Sequence, residues 1–102
     1  MIKYKLFIDD ERHPIGDDWV IVRSYIEART VIKILGLPKF VSFDHDLGDK
    51  EKTGMDIAKF IVDYCLDNKI EDKIEFYVHS QNPIGAENIR SYLTNFGFVE
   101  SK

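Results

Sequence analysis

The chain has 102 residues, 44% hydrophobic and 31% charged, with 14 Lys and Arg against 18 Asp and Glu for a net charge of −4. This acidic balance argues against extended DNA binding or an anionic membrane surface, yet leaves room for one nucleotide or RNA end in a small pocket. Cys65 is alone, no run approaches the roughly 18 apolar residues of a membrane span, and no signal peptide is visible, so a single cytoplasmic domain over residues 1–102 is expected.

Lys3 to Ile8 reads as a strand rich in Leu, Ile, Phe and Tyr that halts at Asp9-Asp10. Glu11 to Asp18 carries Pro14 and Gly16 and reads as loop, and Trp19 to Arg23 as a second strand. Ser24 and Glu27 form the S-x-x-E signature of a helix start, where each side chain satisfies an orphan backbone N–H. Ala28, Val31, Ile32 and Leu35 then make one apolar stripe, and Gly36 and Pro38 end that helix. Phe40 to Phe43 is a third strand ending at Asp44-His45-Asp46, followed by a polar loop from Leu47 to Gly54. The next helix runs from Met55 to Leu66 with Ile57, Ala58, Ile61, Val62 and Cys65 inward, the thiol as a small core group. Ile74 to Val78 is a strand ending at His79-Ser80. Asn82 and Pro83 open the last helix as N-cap and N1, Ile89, Tyr92, Leu93 and Phe96 supply its stripe, and Gly97 ends it before a short strand at Phe98-Val99.

Such alternation predicts an α/β fold with a mostly parallel sheet of about five strands. Right-handed crossovers place every strand's C-terminal end along one edge, where ligands of such folds bind. Asp9, Asp10 and Glu11, then Asp44, His45 and Asp46, then His79 and Ser80 all fall on that edge. Clustered carboxylates repel one another unless a cation neutralises them. Asp9, Asp10, Asp44 and Asp46 are therefore candidate metal ligands, for Mg2+ first and Mn2+ second, with His45 or His79 moving the preference away from Mg2+. Asp after a strand also stabilises turns, and His13 reads as a hydrogen-bonded loop residue.

A metal at such an edge usually holds phosphate oxygens as well. Asp44 is then either a ligand or a nucleophile, His45 and His79 are candidate proton carriers, and Ser80 can donate to a phosphate oxygen. Backbone N–H groups around Ile84, Gly85 and Ala86 favour an anion. Arg12 is either a bidentate phosphate contact or a solvated surface charge.

The segments K-L-F-I-D-D-E-R-H-P, F-V-S-F-D-H-D-L-G, T-G-M-D-I-A-K-F and V-H-S-Q-N-P-I-G-A-E-N-I resemble, in order and combination, the cyclic-phosphate processing receiver-like domains. These are a divergent branch of the response-regulator receiver fold, and the resemblance spans nearly the whole chain. It implies a three-layer, flavodoxin-like sheet with Asp9, Asp10 and Asp44 binding Mg2+, Asp44 matching the phosphoacceptor and Ser80 the hydroxyl residue after the fourth strand. Two departures stand out. The stretch from Asp10 to Trp19 is too short for the usual first helix, which reduces it to a loop and leaves the second strand displaced or antiparallel. The Lys that receivers carry after the fifth strand is absent, with Lys102 as the sole candidate.

Three functions follow from this reading. The first is a metal-dependent phosphate-processing domain acting on a cyclic phosphate, a nucleotide or an RNA end. The second is a signalling receiver phosphorylated on Asp44, which the missing Lys disfavours. The third is a partner-binding module without chemistry. The small size leaves room for a protein partner beside the phosphate-bearing ligand.

Overall fold

A computed structural model describes residues 3–48 and 52–101. The order of elements is β1 (Lys5–Ile8), β2 (Trp19–Val22), α1 (Tyr25–Leu35), β3 (Phe40–Phe43), α2 (Gly54–Asp67), β4 (Glu75–Val78), α3 (Pro83–Phe96) and β5 (Val99–Glu100). All five strands are parallel, in the order β2-β1-β3-β4-β5. The α/β class, the five strands and the missing first helix are as the sequence predicts. Residues 49–51 of the expected loop, and Lys102, lie outside the described residues.

The second strand corrects its expectation. It is neither displaced nor antiparallel, since Lys5 pairs with Trp19 and Ile8 with Val22 in parallel register. The reason is strand length. Each partner has four residues, so the return path is only about 13 Å at about 3.3 Å per residue, and residues 9–18 span it without a helix.

The strand order also fixes the layers. The connections through α1, α2 and α3 all step the same way across the sheet, from β2 towards β5. Right-handed crossovers then put all three helices on one face. Leu6, Ile8, Val41, Phe43, Phe76 and Val78 point to that face and join Ile32, Ile61, Ile89 and Leu93 in one core. The step from β1 to β2 runs the opposite way, so among the described residues its connection, the 9–18 loop, covers the other face. The three layers are thus helices, sheet and loop. On the loop side Trp19 packs edge-on against both Phe7 and Phe40.

Local chemistry sets the helix ends. Ser24 Oγ accepts from the Glu27 N–H, and Glu27 Oε1 accepts from the N–H of Arg23, one residue earlier than a reciprocal capping box requires. Leu35 departs from its predicted stripe and is 47% exposed. It ends the outermost helix, over the β2 edge, on a flank with no neighbouring helix. Asn82 caps α3 with Pro83 in its first turn, and Gly97 closes it in the left-handed region at φ 112°, which a side chain would strain. Cys65 is buried in the core as expected. Among the described residues no helix is long and apolar enough to cross a membrane.

Gly54 starts α2 directly against the end of β3. Its N–H donates to the His45 carbonyl at 2.8 Å, and a Cβ there would lie 2.0 Å from the Asp44 carbonyl oxygen. Backbone cannot yield as a flexible side chain can. Gly54→Ala is expected to cost about 1–3 kcal/mol of stability, as overpacking does, read as a lower urea midpoint.

Candidate functional site

The hydrogen-bond ladder of the sheet runs one residue past the strand ends. Asp9 N–H donates to Val22 O, Asp44 N–H to Ile8 O and His79 N–H to Phe43 O. Continuing the register from Ile8, Val22, Phe43 and Val78 therefore aligns Arg23, Asp9, Asp44 and His79 on a single rung. Side chains alternate along a strand, so these four share the loop-side face with Phe7, Ser42 and Tyr77 two residues earlier.

Ligating atoms of Asp9, Asp44 and His79 all lie within 4.8 Å of one another. The Asp9 side chain has no solvent exposure. Its Oδ1 accepts from the N–H groups of Glu11 at 3.0 Å and Arg12 at 2.9 Å. Its Oδ2 accepts from His79 Nε2 at 3.0 Å and forms an ion pair with Arg12 Nε at 2.9 Å. Burial pushes the Asp9 carboxyl up, but these hydrogen bonds and the Arg12 charge outweigh it and hold the group below its ordinary value. Arg12 also reaches Asp44 Oδ2 at 3.4 Å. It bridges the two carboxylates from the solvent side, with its own side chain 43% exposed.

His79 is fixed from three sides. Nδ1 meets Ser42 Oγ at 2.7 Å, Nε2 meets Asp9, and Phe7 stacks on the ring at 4.7 Å with a 2° interplanar angle. Burial lowers its basicity, and the opposing pull of Asp9 and Asp44 does not fully restore it. Arg23, which the sequence reading passed over, donates from Nη1 to the carbonyls of Asp9 at 2.9 Å and Arg12 at 2.6 Å. It thereby pins the loop that carries Arg12. Its Nη2 lies 3.4 Å from Nδ1 of the exposed His13.

The remaining candidates divide between two places. Asp10 stands outside the three-residue group and leans on Gly48, where a Cβ would lie 2.9 Å from its Oδ2. Asp46 faces the start of α3. Its Oδ1 accepts from His45 Nδ1 at 2.8 Å, and Asn82 Nδ2 reaches both of its oxygens at 3.3 and 3.4 Å. The His45 hydrogen bond comes first among the effects that hold the Asp46 carboxyl below its ordinary value. The His45 ring lies over Gly85, where a Cβ would come within 2.4 Å of the ring. Gly85 N–H is taken by Asn82 Oδ1 at 2.9 Å, and Ser80 Oγ accepts the Asn82 N–H at 3.1 Å.

With this geometry in place, the family follows. The model of the cyclic-phosphate processing receiver domain matches residues 4–95. The chain belongs to that family. No curated protein matches this receiver domain. One similar solved structure is described as the yeast Spc42 trimeric coiled coil, amino acids 181–211, fused to another structure. The likeness covers 96% of this chain and 68% of that one, at 20% identity and a TM-score of 0.61. At that identity it shows the fold alone.

Two residues of this receiver domain escaped sequence reasoning. Ser42 carried a signal, as the one polar residue of F-V-S-F and two positions before Asp44. Arg23 carried a weaker one, as the residue closing the second strand.

The lowered basicity of His79 links the site to stability. The unfolded chain takes up a proton near the ordinary value of 6.5, before the folded chain does. Stability from the neutral ring is therefore present above that value and lost as pH falls through the folded one. Asp9 acts in the same direction at lower pH. Urea unfolding between about pH 7 and pH 5 is expected to show declining stability, and His79→Gln to flatten that decline.

Proposed function

We propose that this receiver domain is a metal-dependent phosphate-processing unit acting on a cyclic phosphate of a nucleotide or an RNA end. The observation carrying this reading is the convergence of Asp9, Asp44 and His79 atoms within 4.8 Å on one rung of the sheet. Two carboxylates and an imidazole suit a divalent cation, and the imidazole favours Mn2+ over Mg2+. When bound, the cation would withdraw charge from a phosphate oxygen.

Asp9 and Asp44 would hold the cation with His79 as the third ligand. Asp10 is a neighbour of that set and Asp46 an orienting partner of His45. Both nitrogens of His79 are engaged, so His45 is the better proton carrier. Asp46 fixes its Nδ1, and Nε2 makes no hydrogen bond among the described residues. Arg12 must leave the carboxylates when a cation arrives, and its freed guanidinium can pair with phosphate. Ser80 retains its hydroxyl proton for a phosphate oxygen while accepting from Asn82. Gly85 contributes the space that seats His45.

Calorimetric titration of Mn2+ and Mg2+ is the first test. Binding is expected in the wild type and absent in Asp44→Asn. Arg12→Met should tighten binding several-fold, because the guanidinium no longer competes for the two carboxylates. Nucleoside cyclic phosphates followed by phosphorus NMR should turn over only with metal, and His45→Ala should slow that turnover about a hundredfold or more. Absence of metal binding at millimolar concentration would overturn the metal-dependent reading.

A further inference from the structure

We propose that Ser42 is a positioning residue for His79, a reversible hydrogen-bond partner that allows the ring to change tautomer when a cation enters. The proposal rests on the reading of Asp9, Asp44 and His79 as a cation site. Its starting point is a continuous chain of three side chains. Ser42 Oγ lies 2.7 Å from His79 Nδ1, and His79 Nε2 lies 3.0 Å from Asp9 Oδ2.

An ionised carboxylate only accepts hydrogen bonds, so Nε2 must carry a proton towards Asp9. In the neutral ring Nδ1 is then a lone pair, and the Ser42 hydroxyl is the donor. Arg12 brings one positive charge to Asp9 and Asp44, so with a neutral ring the group keeps one net negative charge that a cation would offset. Ser42 and His79 are otherwise enclosed. Ser42 is 5% exposed, and Phe7 covers the ring. Among the described residues, no buried side-chain nitrogen or oxygen lacks a partner.

Cation binding reverses this chain. Coordination through Nε2 requires its lone pair, so that proton leaves to solvent and another arrives on Nδ1. The ring stays neutral, and Ser42 keeps its own proton. The hydroxyl turns so that Oγ accepts from Nδ1–H. Serine and threonine can both donate and accept, whereas alanine can do neither. This is the role of outer partners of metal-bound histidines, whose loss typically costs about 10–100-fold in affinity.

The test combines Mn2+ calorimetry with long-range proton–nitrogen NMR of the His79 ring, using Zn2+ as the diamagnetic probe. Without metal, the wild type should carry its His79 proton on Nε2, and with saturating Zn2+ on Nδ1. Ser42→Ala should weaken Mn2+ binding about tenfold or more, Ser42→Thr should restore it, and Ser42→Ala should have no effect in a His79→Ala background. A metal-free proton on Nδ1, an unchanged affinity in Ser42→Ala, or an equal loss in the His79→Ala background would each overturn the role of Ser42. Metal binding by the wild type with any of those results sinks this inference alone. A wild type that binds neither Mn2+ nor Zn2+ sinks the cation site and the switch together.

Discussion

A fully buried carboxylate at Asp9 organises this structure. Taking such a charge out of water costs several kcal/mol unless hydrogen bonds and an opposite charge replace the solvent. The replacements come from four directions: two backbone N–H groups of the following turn, the imidazole of His79 and the guanidinium of Arg12. Each imposes a shape. The turn after β1 must curl back over Asp9, Arg12 must point inward, and the His79 ring must lie flat on Phe7 to reach across from β4. Arg23 holds that turn from the neighbouring strand. The loop therefore functions as a third layer despite having no helix, because buried charge rather than apolar packing fixes its path.

Much of this organisation was legible in the chain. Caps, glycines and apolar stripes located all eight elements, and the polar endings of β1, β3 and β4 identified the functional edge. The finer arrangement was less legible because it depends on register. Asp9 and Asp10 are equivalent by composition, yet the pleat turns them to opposite faces, and only Asp9 shares a rung with Asp44 and His79. The same alternation separates His45 from Asp44 and sends it to Gly85. The bridge made by Arg12 is less legible still, because it joins the nearby Asp9 to an Asp44 that lies 32 residues away in sequence. The direction of β2 was misjudged for another reason. A rule about crossover length presumes strands of ordinary length, and strands of four residues need a much shorter return.

The helices and the site divide the sheet between them. Alternate residues facing α1, α2 and α3 form the continuous core, whereas those facing the loop build an aromatic and polar surface from Trp19 through Phe7 to His79. The two sets interleave residue by residue along β1 and β3. Core and candidate site are consequently adjacent: Phe43 belongs to the core, while Ser42 and Asp44 on either side belong to the site. Gly54 shows how closely they touch, since the first residue of α2 rests on the backbone of Asp44.

The rung that joins residues 9, 44 and 79 draws on three widely separated stretches of chain. No single element contains all three residues, and none preforms the cluster. Before the sheet closes, its acidic groups are solvated and free to stay apart, so the site exists only once β1, β3 and β4 have paired. A ligand that grips all three residues therefore recognises the completed sheet. Its binding energy acts on global unfolding rather than on local breathing of one loop.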